Sequence, residues 1–216
     1  MEIIKELPKR VDWIWGTPEM LEYQTLLGDD NFSLVSQQCV RRIDLSKDLE
    51  EILSGMSSGH KSDIKQAVRN GVEIKIFDSE NIDRKIWNVF LSAHKTTESR
   101  KKRNPKCWEI LFELIKNGNA ILVGADSCGE KIAFAYIFLY KSRGYYGLAN
   151  IKDEYRRLKP SHLIHWTAIK YMKKNGILFY DLGTDCAGDT LTEKEKNIIK
   201  FKRGFGGFTF DLFKQP

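Results

Sequence analysis

A chain of 216 residues, 42% of them hydrophobic and 30% charged, has the apolar content of a globular protein, which argues against disorder and leaves room for one large domain or two small ones. Its formal charge of +6 points to anionic partners, among them phosphorylated metabolites, nucleotide sugars, RNA or an acidic membrane surface. Cys39, Cys107, Cys128 and Cys186 form no C-x-x-C pair and no zinc-finger spacing, and no apolar run approaches the roughly 18 residues of a membrane span or forms a signal peptide. Reduced cysteines, no integral membrane segment and a cytoplasmic location are therefore expected.

Residues 1–31 carry Trp13, Trp15 and Tyr23 with little periodicity and end in the turn signal Gly28-Asp29-Asp30-Asn31, which reads as an N-terminal arm packed on the body. Residues 32–45 alternate loosely as a first strand. Ser46 is expected to cap a helix whose first turn holds Asp48, Glu50 and Glu51. A second helix over 57–70 turns Ile64, Ala67 and Val68 to one face and aligns Lys61, Lys65 and Arg69 in a charged stripe, with Gly71 at its end. A strand over 72–77 and a helix over 82–94 follow.

Residues 95–103 are strongly basic and read as a loop, while Asn104-Pro105 opens a helix over 106–117 that Gly118 closes. Residues 120–125, 131–140 and 144–151 form an antiparallel meander separated by short turns. Pro160 opens a helix that Gly176 closes, 177–182 is a buried strand, 192–202 the last helix and 207–213 the last strand. No repeat or linker divides the chain, so 32–216 is expected to be a single α/β (α+β mixed) domain, a mixed sheet with helices on both faces. The helix between the meander and the 177–182 strand makes that pair parallel and places a cleft at the strand ends.

Three segments have chemistry to offer. Arg157, Lys159 and Ser161 flank Pro160 at a helix N-terminus, where unpaired N–H groups and cations suit a phosphate, although a solvated basic loop fits as well. Asp181, beside Tyr180, Gly183 and Thr184 at a strand end, is placed either to orient or deprotonate an amine or to cap the next loop. Lys202 lies in Phe201-Lys202-Arg203-Gly204-Phe205-Gly206-Gly207, where aromatics and glycines would partly desolvate it. It then stabilises an oxyanion, neutralises a phosphate or complements the end of a helix. His94 and Arg100 belong to the basic segment, which either meets an anionic acceptor as a loop beside the cleft or is a solvated surface. His162 and His165 are spaced i, i+3 without a third ligand, so no metal site is expected.

Ile43-Asp44-Leu45-Ser46, His60 to Val72, Pro160 to Trp166, Tyr180-Asp181-Leu182-Gly183 and Phe201 to Gly207 together resemble, in the same order, signatures of the Fem-type (FemAB-like) aminoacyltransferases. These peptidoglycan-bridge enzymes and their relatives lie within the Gcn5-related N-acyltransferase (GNAT) superfamily. The resemblance covers roughly 33–213 and implies a GNAT-like, largely antiparallel sheet flanked by helices. It implies an enzyme that transfers an acetyl or aminoacyl group from acyl-CoA or aminoacyl-tRNA to an amine of a sugar, peptide or cell-envelope precursor. Lys202 then falls at the acyl-transfer centre and Asp181 beside it. Tyr180, Gly183, Asn150, Arg157, Lys159, Ser161, Phe201, Gly204, Phe205, His94 and Arg100 are expected to line the substrate site.

Two departures qualify what the resemblance implies. Fem proteins usually carry two such domains and this chain has room for one, which favours a smaller anionic acceptor or a homodimer. Arg157 to Ser161 also stand where ordinary GNAT enzymes have a Gly-rich pyrophosphate loop. The competing readings are an RNA-binding module, with Lys61, Lys65, Arg69 and the 95–103 loop on one basic face, and a catalytically inactive scaffold.

Overall fold

A computed structural model describes residues 33–97, 105–185 and 191–214. The expected N-terminal arm and Arg100 lie outside the described residues. In chain order the elements are β1 (Ser33–Asp44), α1 (Leu49–Ser54), α2 (Ser58–Arg69), β2 (Glu73–Phe77), α3 (Arg84–Thr97), α4 (Pro105–Lys116), β3 (Ala120–Ser127), β4 (Glu130–Tyr140), β5 (Arg143–Ile151), a 3-10 turn (Asp153–Leu158), α5 (Pro160–Lys174), β6 (Phe179–Thr184), α6 (Glu193–Arg203) and β7 (Phe208–Lys214).

Local chemistry sets most of these boundaries. Ser57 caps α2 by accepting from the His60 amide, and Thr192 and Glu195 form a reciprocal capping box at the start of α6. Pro160 sits at the first turn of α5, where its missing N–H costs no helical bond. Ser46 differs from expectation, because its amide and hydroxyl both donate to the Asp44 carboxylate. That local turn spends the serine, and Asp48 takes the cap position of α1. Residues 95–97, expected in a loop, continue α3.

The seven strands form one sheet in the order β2-β3-β4-β5-β6-β1-β7. Every pair is antiparallel except β5 with β6. Alternation along β3 sends Ile121, Val123 and Ala125 into one core with Ile64 and Ala67 of α2 and Leu163, Ala168 and Ile169 of α5. Ala120 and Leu122 enter a second core with Trp87 and Phe90 of α3 and Leu111, Phe112 and Ile115 of α4. Helices on both faces explain why β3 is buried along its whole length and reads as an unbroken apolar run. Each large apolar side chain so buried contributes roughly 1.5–3 kcal/mol.

The site is set by what happens between β5 and β6. They pair at Arg143–Phe179, Gly144–Tyr180 and Tyr145–Asp181 and no further. Beyond that point β5 stays with β4 as far as Ile151, while β6 stays with β1 as far as Thr184. Two parallel strands that part in mid-sheet leave their edges facing a gap. In β5 the register with β4 also shifts, from Ile137–Tyr146 to Tyr136–Leu148, so Gly147 is an extra residue at the start of the parting.

Candidate active site

Gly183 sits near the end of β6 with φ +81, a conformation that side chains rarely adopt. A β-carbon there would lie 3.3 Å from Lys202 Nζ and 3.8 Å from the Tyr145 hydroxyl oxygen, and no third described atom outside its chain neighbours lies within 4 Å. The absent side chain thus leaves a small space bordered by two polar groups. Tyr145 is the last β5 residue paired with β6, so this space lies where the strands part.

Lys202 arrives from the last turn of α6 and donates one ammonium proton to the Thr184 carbonyl, 3.0 Å away. Burial of the half-covered ammonium lowers its pKa below the ordinary lysine value, and Asp185 opposes that shift. Burial raises the Tyr145 hydroxyl above its ordinary value, and the negative charge of Asp181 adds to the rise. At neutral pH the phenol therefore keeps its proton and is a donor.

Two buried ionic arrangements fix the strand ends. Arg42 in β1 donates through Nε to one Asp181 oxygen at 2.6 Å and through Nη2 to the other at 2.9 Å, both side chains being almost wholly buried. The guanidinium also lies 3.9 Å from the Phe210 ring centre. Asp185, fully buried, accepts from Arg203 Nε at 2.6 Å and from the Thr209 hydroxyl at 2.7 Å, with Arg41 Nη1 at 3.5 Å. Arg41 donates in addition to the carbonyls of Gly206 and Gly207. Together these residues tie the end of β6 and the turn after α6 to β1 and β7.

The aromatic and glycine run after Lys202 has an internal purpose. A β-carbon at Gly204 would be 2.0 Å from the His60 ring, at Gly206 2.6 Å from the Gly55 carbonyl oxygen, and at Gly207 2.1 Å from that of Arg42. The close approach that these glycines permit is made by the protein's own backbone and by His60. Phe205 is fully buried, and Phe201 packs against the same core.

Three histidines support this turn from below. His60 Nε2 lies 2.8 Å from the Phe201 carbonyl, which can only accept, so that nitrogen carries the proton. His162 faces Asp63 at 3.3 Å and packs edge-on to His60, with ring centres 4.6 Å apart. His165 Nδ1 is 2.8 Å from the Tyr180 hydroxyl. Burial lowers the pKa of all three, to about 4 for His162 and about 3 for His165. They are neutral at pH 7, and no group of three or more metal-binding side chains occurs among the described residues.

The other expected site residues are scattered. Tyr180 faces the α5 core, fully buried, and His94 is buried between the rings of Phe90 and Trp108. Asn150 is 7% exposed, and its amide nitrogen has no acceptor among the described residues. Lys159 adopts a left-handed conformation before α5 and pairs with Asp63 at 3.3 Å; Ser161 is half-buried beside it and Arg157 exposed. Tyr145, Arg41, Arg42 and Asp185 were not picked out from the sequence. The adjacent arginines were a usable signal, since alternation along a strand turns one of two neighbours inward, where it needs a carboxylate.

Residues 58–202 match the model of the acetyltransferase (GNAT) domain family. Among solved structures the chain is similar in fold to FemX, with 15% identity, a TM-score of 0.70, and coverage of 92% of this chain and 69% of that one. It is also similar to the C-terminal domain of a putative lysylphosphatidylglycerol synthetase from Agrobacterium fabrum, at 12% identity and a TM-score of 0.64, covering 92% of this chain and 65% of that one. The L-PGS structure from Bacillus licheniformis gives 13% identity and a TM-score of 0.62, covering 93% of this chain and 65% of that one. The chain therefore spans just under two thirds of the two synthetase chains. No curated protein matches the sequence.

Proposed function

The chain belongs to the acetyltransferase (GNAT) domain family, and on that premise we propose that it transfers an acyl group, from an acyl-CoA thioester or an aminoacyl-tRNA ester, to the amine of a sugar, peptide or cell-envelope precursor in the cytoplasm. The observation that carries this reading is the parting of β5 from β6 after Tyr145 and Asp181, with Lys202 Nζ at the mouth beside Gly183. An acyl group laid in that gap meets the free edges of two strands and a cation.

The chemistry required is modest. A neutral amine attacks the acyl carbonyl, and the charge that appears on oxygen must be stabilised. Lys202 supplies that stabilisation. Asp181 has both oxygens held by Arg42, so its part is to hold β6 in place rather than to take a proton. Alignment of amine and carbonyl in the gap supplies much of the rate enhancement.

Asn150, with a buried amide donor that lacks an acceptor among the described residues, suits a carbonyl of the donor. Arg157, Lys159 and Ser161, at the start of α5, suit its anionic portion. Gly204 and Phe205 turn inward and act by shaping the turn that carries Lys202. The Fem-type signatures and the fold likeness to FemX favour an aminoacyl donor and an envelope-precursor acceptor over other members of the same reaction class.

The test is thermal stabilisation by acetyl-CoA, longer acyl-CoA species and charged tRNA, each followed by product detection with a panel of amino sugars and peptides. A ligand bound by the native state alone raises the melting temperature. A shift with one donor class and acylated product from that donor are expected. No shift and no product with any donor would overturn the reading.

A further inference from the structure

We infer that His60 is a positioning residue for Lys202: from the first turn of α2 it holds the last turn of α6 at the Phe201 carbonyl and so aims the ammonium at the gap. The inference rests on the acyl-transfer reading above and gives a part in the reaction to a side chain that acts only through another.

The carbonyls at the end of α6 carry it. A helix leaves its last four carbonyls without partners inside the helix. The amide of Gly204 donates to the Lys200 carbonyl, that of Phe205 to Lys202 and that of Gly206 to Arg203. Among the described residues this backbone turn passes over Phe201, whose carbonyl is met instead by His60 Nε2 at 2.8 Å. The Gly204 carbonyl accepts from the Ser57 amide at 2.9 Å. The start of α2 thus grips the turn on either side of Lys202 and Arg203, and the grip next to Lys202 is the His60 side chain.

The His60 ring is itself fixed. Ser57 Oγ lies 3.1 Å from Nδ1; since Nε2 carries the proton, Nδ1 accepts and the Ser57 hydroxyl donates. A β-carbon at Gly204 would lie 2.0 Å from the ring, so the ring fills the place of a side chain there. Phe205 and His162 pack edge-on against it, each with ring centres 4.6 Å apart. A ring bonded at both nitrogens and enclosed at its edges holds Phe201 in place, and Lys202 is one peptide unit away.

On the other side the turn is fixed by its own side chains. Lys202 Nζ donates to the Thr184 carbonyl at 3.0 Å, and Arg203 Nε donates to Asp185 at 2.6 Å. These contacts tie the tip of Lys202 to β6, while His60 fixes the backbone from which its flexible stem extends. A misplacement of about 1 Å in a group that aligns or stabilises the reacting atoms can cost about 10²-fold in rate. His60 keeps its proton throughout, and its effect passes through Lys202.

The experiment measures steady-state acylation by His60→Ala, His60→Asn and His60→Gln, each alone and combined with Lys202→Ala. It uses the donor and acceptor that give product in the screen of acetyl-CoA, longer acyl-CoA species and charged tRNA. Glutamine can place an amide N–H where Nε2 stands, whereas the shorter asparagine cannot. His60→Ala and His60→Asn should lose about 10–10²-fold in kcat with donor KM within about twofold, and His60→Gln should stay within about threefold of wild type. In the Lys202→Ala background the same substitutions should change kcat by less than about twofold, because the group they position is gone. Ile115→Val, in the fully buried core under α4, lowers the melting temperature away from this turn and should leave kcat unchanged. Should His60→Ala fail to fold, the asparagine and glutamine variants decide. Equal losses with and without Lys202, wild-type kcat in His60→Asn, or a His60→Gln enzyme as slow as His60→Asn overturns the positioning role while acyl transfer stands. A wild type that acylates nothing from any donor overturns acyl transfer and the inference with it.

Discussion

Arg42 holds both carboxylate oxygens of Asp181, at 2.6 and 2.9 Å, in a pair that links β1 to β6 and is shielded from solvent on every side. A bidentate geometry of this kind locks the two strands in register at the point where β6 leaves β5. Removing one partner strands the other as a buried charge, so Asp181→Ala and Arg42→Ala should each cost about 3–5 kcal/mol. Urea unfolding checks this. The alternative in which Asp181 is a general base expects near-normal stability with activity lost, and the unfolding midpoint separates the two.

Lys202→Ala should lower kcat by about 10²–10³-fold, the usual cost of one oxyanion donor, with little change in unfolding, because the ammonium's one hydrogen bond among the described residues is to the Thr184 carbonyl. Its pKa is depressed by burial. A required cation is present below that pKa and lost above it. Activity should therefore decline on the alkaline side at a lower pH than an ordinary lysine would give, and a pH–rate profile reads the position of that limb.

The histidine cluster sets the acid limit of stability. The pKa of His162 falls from 6.5 to about 4 on folding, so the unfolded chain binds the proton more readily than the folded one. The stability that results is complete above about pH 6.5 and is lost as pH falls toward 4, by roughly 3 kcal/mol for this group alone. Unfolding midpoints between pH 4 and 7 should show that slope, and His162→Gln should flatten it.

The glycines after Lys202 should prove intolerant for reasons of packing. Gly204→Ala drives its methyl group into the His60 ring, and Gly207→Ala into the Arg42 carbonyl. Both should destabilise by several times the ~1 kcal/mol expected at Gly71, which has φ +71 and no described atom within 4 Å of its β-carbon position. His60→Ala should relieve Gly204→Ala and leave Gly207→Ala unrelieved, a double-mutant comparison read in melting temperatures.

Most elements were legible because their signals are local. Pro160, Gly176 and the alternation of the meander each fix an end or a period within a few residues. The parallel pairing of β5 with β6 also followed, from the helix that joins them. The insertion of β1 between β6 and β7 did not follow, since it depends on partners more than a hundred residues away. The site divides in the same way: Lys202 and Gly183 stand out in sequence, whereas Tyr145 gains its meaning only where β5 parts from β6. The glycines after Lys202 serve close packing against the protein's own backbone and His60, a need that local sequence expresses with the same residues as a ligand site.

Acyl transfer at the β5–β6 gap is tested most directly by incubating wild type and Lys202→Ala with each donor class and the amine panel and quantifying acylated amine. The structure predicts product from one donor class with wild type, reduced by about 10²–10³-fold in the variant. Equal product from both enzymes, or none from wild type with any donor, would contradict it.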